Sequence, residues 1–255
     1  MASANTSSRT GVKTLAGVVA LLAVAALGAL ALTSSVTSVD LRVDQALQSL
    51  RSDGATSVFL GLTNSAQEIV GLAALALGVV ILLLRRRRWD AARLFVMAGA
   101  AWALATVVKY LFDRPRPPAG LWLMAPDSPR SFPSGHTTTA TVIVVIAAMV
   151  LIGTAWRVAA IALAVVFALA VGFSRVYLGD HYPTDVLGAY LTVTAVVLIV
   201  SAFTDLPRVR QLGGRLLRDP ELAGGPAPGA RQADADTEII HLPRPNAGAP
   251  GRRRA

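Results

Sequence analysis

Read for its hydrophobic runs, the chain shows six stretches that each approach the ~20 apolar residues a membrane-spanning helix needs. They are Leu15–Leu32, Ala66–Leu84, Ala91–Phe112, Thr137–Ile152, Val158–Leu178 and Thr184–Phe203. Between the first two, Val39–Leu50 places Val39, Val43, Ala46, Leu47 and Leu50 at helical spacing, with Asp40, Arg42, Asp44 and Gln48 between them. That pattern predicts a short helix lying along the outer membrane interface. From Asp205 onward Pro, Gly, Ala and Arg dominate without periodicity, the composition of a disordered tail, and His241 within it is given no role.

The expected architecture is therefore all-α: an integral membrane six-helix bundle over residues 15–203, with a short interfacial helix. A cytoplasmic N-terminus, 1–14, precedes it, and a disordered cytoplasmic C-terminal tail, 204–255, follows. Arg9 and Lys13 before the first run resemble the opening of a signal peptide, but the run is long for an h-region and is read as a retained helix.

Composition supports the bilayer as solvent, since 54% of the 255 residues are hydrophobic and mean hydropathy is +0.56. A net charge of +9 could signal nucleic acid. Here, however, the arginines crowd between apolar runs and in the tail, with few aromatics to stack on bases, so membrane topology explains them and no nucleic-acid partner is expected. With the N-terminus inside, the inner segments hold 17 of the 24 Lys and Arg residues, including Arg85 to Arg88. The positive-inside rule then puts both termini in the cytoplasm and the outer loops on the extracytoplasmic face. The chain has no cysteine, which excludes disulfides and thiolate chemistry.

Three strings in or beside those outer loops carry chemistry: Lys109–Pro117 (KYLFDRPRP), Pro133–His136 (PSGH) and Ser174–Asp185 (SRVYLGDHYPTD). Lys109 is one of two lysines in a chain with 22 arginines, and Pro115 and Pro117 end its helix at the membrane surface. Its ammonium can meet a phosphate oxygen as a point charge, and Arg116 can offer a planar fork. Ser134 is a good N-cap, and Gly135 lets the backbone approach an anion at the start of the following helix, beside which His136 projects. His181 and Asp185 lie four apart, so on helical backbone the carboxylate can accept from one ring nitrogen and leave the other free to attack. Arg114, Arg130 and Asp180 flank the strings and are read as solvated loop charges.

The strings resemble the three-part signature of the type 2 phosphatidic acid phosphatase superfamily, K-x6-RP, PSGH and SR-x5-H-x3-D. Lys109, Arg116 and Pro117 match the first part, Pro133, Ser134, Gly135 and His136 the second, and Ser174, Arg175, His181 and Asp185 the third. The resemblance implies a metal-independent lipid phosphatase in which His181 attacks phosphorus, Asp185 holds its tautomer and His136 protonates the leaving group. Lys109, Arg116, Arg175, Ser134 and the Gly135 amide would bind phosphate oxygens. No cofactor is expected; the partners are the bilayer and a lipid phosphate or diphosphate.

Among such lipids the expectation falls on an undecaprenyl-type diphosphate, with phosphatidate or phosphatidylglycerophosphate as alternatives and Arg114 as a cation for an inner phosphate. The same signature occurs in soluble vanadium haloperoxidases, against which the six apolar runs argue. A non-enzymatic anion-binding membrane protein would need the cations but not His136, His181 and Asp185.

Overall fold

In the computed structural model, residues 2–219 are described, with side chains from residue 8 onward. Nine α-helices account for most of them: α1 (Ala2–Ala31), α2 (Ser34–Gln48), α3 (Asp53–Asn64), α4 (Glu68–Leu84), α5 (Arg88–Phe112), α6 (Gly135–Val150), α7 (Arg157–Tyr177), α8 (Pro183–Thr204) and α9 (Pro207–Leu216). The described residues contain no strand, in keeping with the all-α expectation.

All six apolar stretches are helical, but they do not all reach across a bilayer. Residues 8–31 of α1 and the whole of α5, α7 and α8 are long and apolar enough to span, and α3 with α4 makes a fifth span if that pair, bent by 49°, is counted as one. Helix α6 has 16 residues, a length of about 24 Å against the ~30 Å hydrocarbon core. It begins at Gly135, two residues before the apolar stretch, and stops at Val150. Helix α3 went unread in the sequence; Ser52 caps it by accepting from the Ala55 amide, and Asp53 sits in its first turn.

The core lies where α4, α5, α6 and α8 meet, around Leu75, Leu82, Leu94, Met97, Val142, Ile146 and Val193. Helix α1 packs along α8, and α6 along α7. Close approach of α4 to α6 depends on small residues: a Cβ on Gly78 would meet Ile146 Cγ2 at 2.9 Å and Leu94 Cδ2 at 3.2 Å. Leu22, Leu72, Phe95, Leu163 and Val166 are exposed around the outside, as helices surrounded by lipid tails require.

Two expectations change. The interfacial helix exists, as α2, but its polar face turns inward: Asp40 and Asp44 are buried while Val39 and Val43 are 49% and 40% exposed. The tail does not lose its structure at 204, because residues 207–216 form α9, with Pro207 in its first turn. Gly213 of that helix abuts the Trp89 ring closely enough that a side chain there would clash. The rest of the expected tail and His241 lie outside the described residues. At the same end of the bundle, Arg85 and Arg87 donate to Val150 and Met149 carbonyls at the C-terminus of α6, and Arg88 donates to the Leu217 carbonyl. Part of this arginine run thus closes helix ends, where cations are favoured.

Candidate active site

The three strings, separated by up to about 70 positions, converge at the end of the bundle where α5 stops and α6 and α8 start. Helix α5 ends as Asp113 turns left-handed (φ 43°), after which Pro115 pairs across to Arg130 in an isolated bridge. The chain returns through a 3₁₀ turn, Ala119–Leu121. Helices α6 and α8 then point their N-termini into the region between these loops, with their free amides and positive dipole ends.

His181 is at the centre. Its Nδ1 lies 3.2 Å from Asp185 Oδ2, and Arg116 Nη1 lies 3.1 Å from its Nε2. A guanidinium can only donate, so Nε2 is the acceptor and the ring proton sits on Nδ1, directed at the carboxylate. That is the tautomer a nucleophilic Nε2 requires. Burial pushes the His181 pKa well below the ordinary imidazole value, and Arg116, Arg175 and Lys109 push it the same way.

Asp185 is held from every side. Its Oδ2 accepts from the Tyr182 amide at 2.9 Å and from the Ser131 hydroxyl; its Oδ1 accepts from Arg114 Nη1 at 2.6 Å. Position N3 of α8 makes this possible, since an acidic residue there reaches back to the N-cap amide in a capping box. One carboxylate therefore both starts the helix and orients the imidazole. Its backbone carbonyl also accepts from the Ser134 amide at 3.1 Å, joining the second string to the third.

Beside His181 lies a cavity of about 320 Å³, lined by Lys109, Arg116, Gly135, His136 and His181, with Glu68, Trp102, Thr106 and Asp127 around the rest of its wall. His136 projects from the first turn of α6 with Nδ1 4.0 Å from Asp127 Oδ2. Apart from its chain neighbours and the backbone of its own helix, no heavy atom of the described residues lies within 4 Å of where a Gly135 Cβ would be, so that side of its backbone is open. Lys109 Nζ donates to the carbonyls of Pro133 at 2.8 Å and Arg130 at 3.2 Å, tying the end of α5 to the loop that leads into α6.

Three of the eight residues named from sequence stand behind this cavity rather than on it. Ser134 is fully buried; its hydroxyl accepts from the Thr137 amide at 3.5 Å as the cap of α6 and from Thr137 Oγ1 at 3.0 Å. Asp185 backs His181. Arg175 is 1% exposed, paired to Asp180 and donating to Thr63 Oγ1 at 2.6 Å; its Nε finds no acceptor among the described residues.

The flanking charges depart most from expectation. Asp180 is not a solvated loop charge: it is fully buried, accepts from both Arg116 and Arg175, and so sets the position of the two guanidiniums. Arg114 is 1% exposed and its fork joins Asp185 to Asp40, the latter at 2.7 Å, while also donating to Thr184. It is not available to hold an inner phosphate. Arg130 is the one nearer to solvent, paired with Asp113 and lying 4.2 Å over the Tyr110 ring. Ser131, Asp180 and Asp40 were missed as site residues. No local pattern marks them, because each acts through a partner distant in sequence.

Known proteins give this arrangement a family. The model of the PAP2 superfamily matches residues 90–208, and a decaprenylphosphoryl-5-phosphoribose phosphatase of Mycobacterium tuberculosis is 35% identical over 164 residues, 62% of this chain and 86% of the relative. The chain belongs to the PAP2 superfamily. A phosphatidylglycerophosphatase B of Bacillus subtilis is 28% identical over 190 residues, 70% of this chain and 90% of that protein. The crystal structure of a transmembrane PAP2 phosphatidylglycerolphosphate phosphatase from the same organism superposes with a TM-score of 0.67 at 29% identity, covering 73% of this chain and 94% of that one. A shorter match, 37% over 78 residues and 31% of this chain, is to undecaprenyl-diphosphatase BcrC of Bacillus subtilis. This PAP2 protein is accordingly a multi-pass membrane protein of a phosphatase family.

Proposed function

We propose that this PAP2 protein is a lipid phosphatase that removes a terminal phosphate through a phosphohistidine on His181. The observation that carries the reading is the polarity of that imidazole: Nδ1 towards Asp185, Nε2 towards Arg116 and the cavity. Nε2 attacks phosphorus in line with the leaving oxygen, and Asp185 holds the imidazolium that develops. Burial and the Arg175 cation push the His136 pKa down to about 4 while Asp127 opposes them. His136, on the cavity wall, therefore takes up its proton with the phosphate dianion bound beside it, gives it to the leaving alkoxide and then, neutral, draws a proton from the water that hydrolyses the phosphoenzyme. Lys109, Arg116 and the first amides of α6 bind the equatorial oxygens, with Arg175 behind them, fixed to the same Asp180 that holds Arg116. Positioned cations carry most of phosphoryl transfer, the part Mg²⁺ takes in kinases. Ser134 serves by starting α6 at the right place.

For the substrate, the reading moves away from a diphosphate. Arg114 is spent on carboxylates, and the cavity wall carries Glu68 and Asp127, which would repel a second phosphate and would accept from hydroxyls. The two relatives matched over 86–90% of their length are named for a phosphoribose and a glycerophosphate lipid. A phosphomonoester on a hydroxyl-bearing lipid headgroup fits both facts. The site faces the extracytoplasmic side and both termini the cytoplasm, by the Lys and Arg distribution. The protein is divided as 1–14, 15–203 and 204–255, with α9 an ordered start to the last segment.

The test is phosphate release in detergent from phosphatidylglycerophosphate, phosphatidate and undecaprenyl diphosphate. Turnover of the monoesters at least tenfold faster than the diphosphate is expected, about 1.4 kcal/mol in the barrier. A reversed preference would restore the undecaprenyl-diphosphatase reading, and peroxidase activity with vanadate in place of phosphatase turnover would move the protein to the haloperoxidases.

A further inference from the structure

The pairing of Arg114 with Asp185 raises an electrostatic problem. A guanidinium 2.6 Å from the catalytic carboxylate, both almost fully buried, cancels the charge that should stabilise His181 as it becomes phosphorylated. Asp40 answers it. From α2, 74 positions away, its carboxylate takes the other arm of the same fork at 2.7 Å. It also accepts from the Thr184 hydroxyl and, at 3.4 Å, from the Thr184 amide.

We propose that Asp40 is a positioning and charge-balancing residue for catalysis: it neutralises Arg114 so that Asp185 keeps its negative charge for His181. This rests on the phosphohistidine reading above. With His181 neutral, the array of His181, Asp185, Arg114 and Asp40 carries one net negative charge. When the Nε2 lone pair forms the N–P bond and the P–O bond breaks, the leaving oxygen takes the His136 proton. The ring keeps its Nδ1 proton and becomes cationic, so the array becomes neutral. In a buried site this favours the phosphorylated state over the resting one. Without the Asp40 charge the array would run from neutral to net positive, the less favourable direction.

The orientation of α2 fits this role. An amphipathic helix at an interface ordinarily turns its polar face to water, yet here Asp40 and Asp44 point into the protein and Val39 and Val43 outward. The titratable groups around His181 come from every neighbouring element: Lys109 from α5, Arg114 and Arg116 from the loop after it, and His136 at the start of α6, with the neutral Ser131 hydroxyl beside the ring. Arg175 lies at the end of α7, Asp180 follows it in the loop and Asp185 stands in α8, while Asp40 and Asp44 of α2 join the same cluster through Arg114 and Asp185.

The experiment uses the full chain in detergent, with the lipid of the above panel that is turned over fastest. Asp40→Asn keeps the shape and an acceptor but removes the charge. It should lower kcat at least about tenfold with KM within about twofold, and move the acid limb of kcat to lower pH by about one unit, because His181 loses a neighbouring anion. Asp40→Glu should recover most of the rate. Asp40→Asn combined with Arg114→Gln should be faster than Asp40→Asn alone, since the cation that cancels Asp185 is then gone as well.

An unchanged acid limb in folded Asp40→Asn protein, or a double variant whose loss is the product of the single losses, would make Asp40 a scaffold only and overturn the inference. Turnover in His181→Ala, measured beside them, would instead overturn the phosphohistidine reading on which it rests.

Discussion

Arg116 Nη1 lies 3.1 Å from His181 Nε2, on the opposite side of the ring from Asp185. Under the proposed mechanism, the cation that would bind a phosphate oxygen marks the face from which His181 would attack, and it can only sit there if that nitrogen carries a lone pair. Phosphate binding would draw the guanidinium onto oxygen and release Nε2, so the same contact protects the neutral nucleophile before substrate arrives.

His181→Ala should abolish turnover, whereas His136→Ala should retain a trace, because losing a general acid costs about 10² to 10⁴ while losing the nucleophile removes the pathway. Acid-labile phosphoenzyme, trapped by rapid quench, should form in His136→Ala and not in His181→Ala. Trapped phosphate in the latter would assign the nucleophile elsewhere.

The pH dependence follows from the direction of the His181 shift. Burial and the surrounding cations hold it neutral in the fold, while an unfolded chain takes up a proton below the ordinary value of about 6.5. The unfolded state thus binds more protons as pH falls. The stability contributed by the neutral ring is present above about 6.5 and is lost on acidification towards the folded-state value. Thermal unfolding in detergent should shift to lower temperature from pH 7 to pH 5, and less so in His181→Gln.

Asp44 gives the opposite slope. Burial, then Asp40 and Asp185, raise its pKa from 3.8 to about 8, and neither carboxylate oxygen has a partner among the described residues. Protonated in the fold and ionised when unfolded, it contributes stability that is complete below about pH 4 and lost as pH rises through about 8. Asp44→Asn should flatten the decline of the unfolding temperature between pH 6 and 9; an unchanged slope would mean that the acid stays ionised.

Arg114→Ala should depress turnover of monophosphate and diphosphate lipids by the same factor, because the side chain holds Asp40 and Asp185 rather than substrate. It should also lower stability by roughly 3–5 kcal/mol, the cost of leaving buried charges unpaired. A loss confined to diphosphates would return it to the substrate.

Reporter fusions test orientation. A fusion after Phe203 should behave as cytoplasmic and one within 119–127 as external, given the distribution of Lys and Arg. The reverse pattern would move the site, and its substrate, to the inner leaflet.

Hydropathy and motif spacing determine a good deal of this protein without coordinates. Whether a run of residues is apolar enough to lie in lipid is a property of the run, so all six stretches could be read as helices. The pairing of His181 and Asp185 is equally local, although not by a shared helical face: His181 precedes the extended N-cap Tyr182, and Asp185 at N3 of α8 reaches back to both. Tertiary structure alone decided which way the charges point. The alternation in α2 is satisfied equally by water outside or by a cation inside, and only the return of Arg114 to Asp40, 74 positions later, selects the second. Arg114 and Asp180 looked solvated for the same reason: a charge in a Pro-rich or Gly-containing loop is buried only if a partner of opposite sign is delivered by another helix. Which motif residues face the cavity and which stand behind it was likewise settled by packing. Ser134 met its partner locally, in Thr137 of its own helix, whereas Arg175 donates to Thr63, a contact that depends on how α3 and α7 meet rather than on any one segment of sequence.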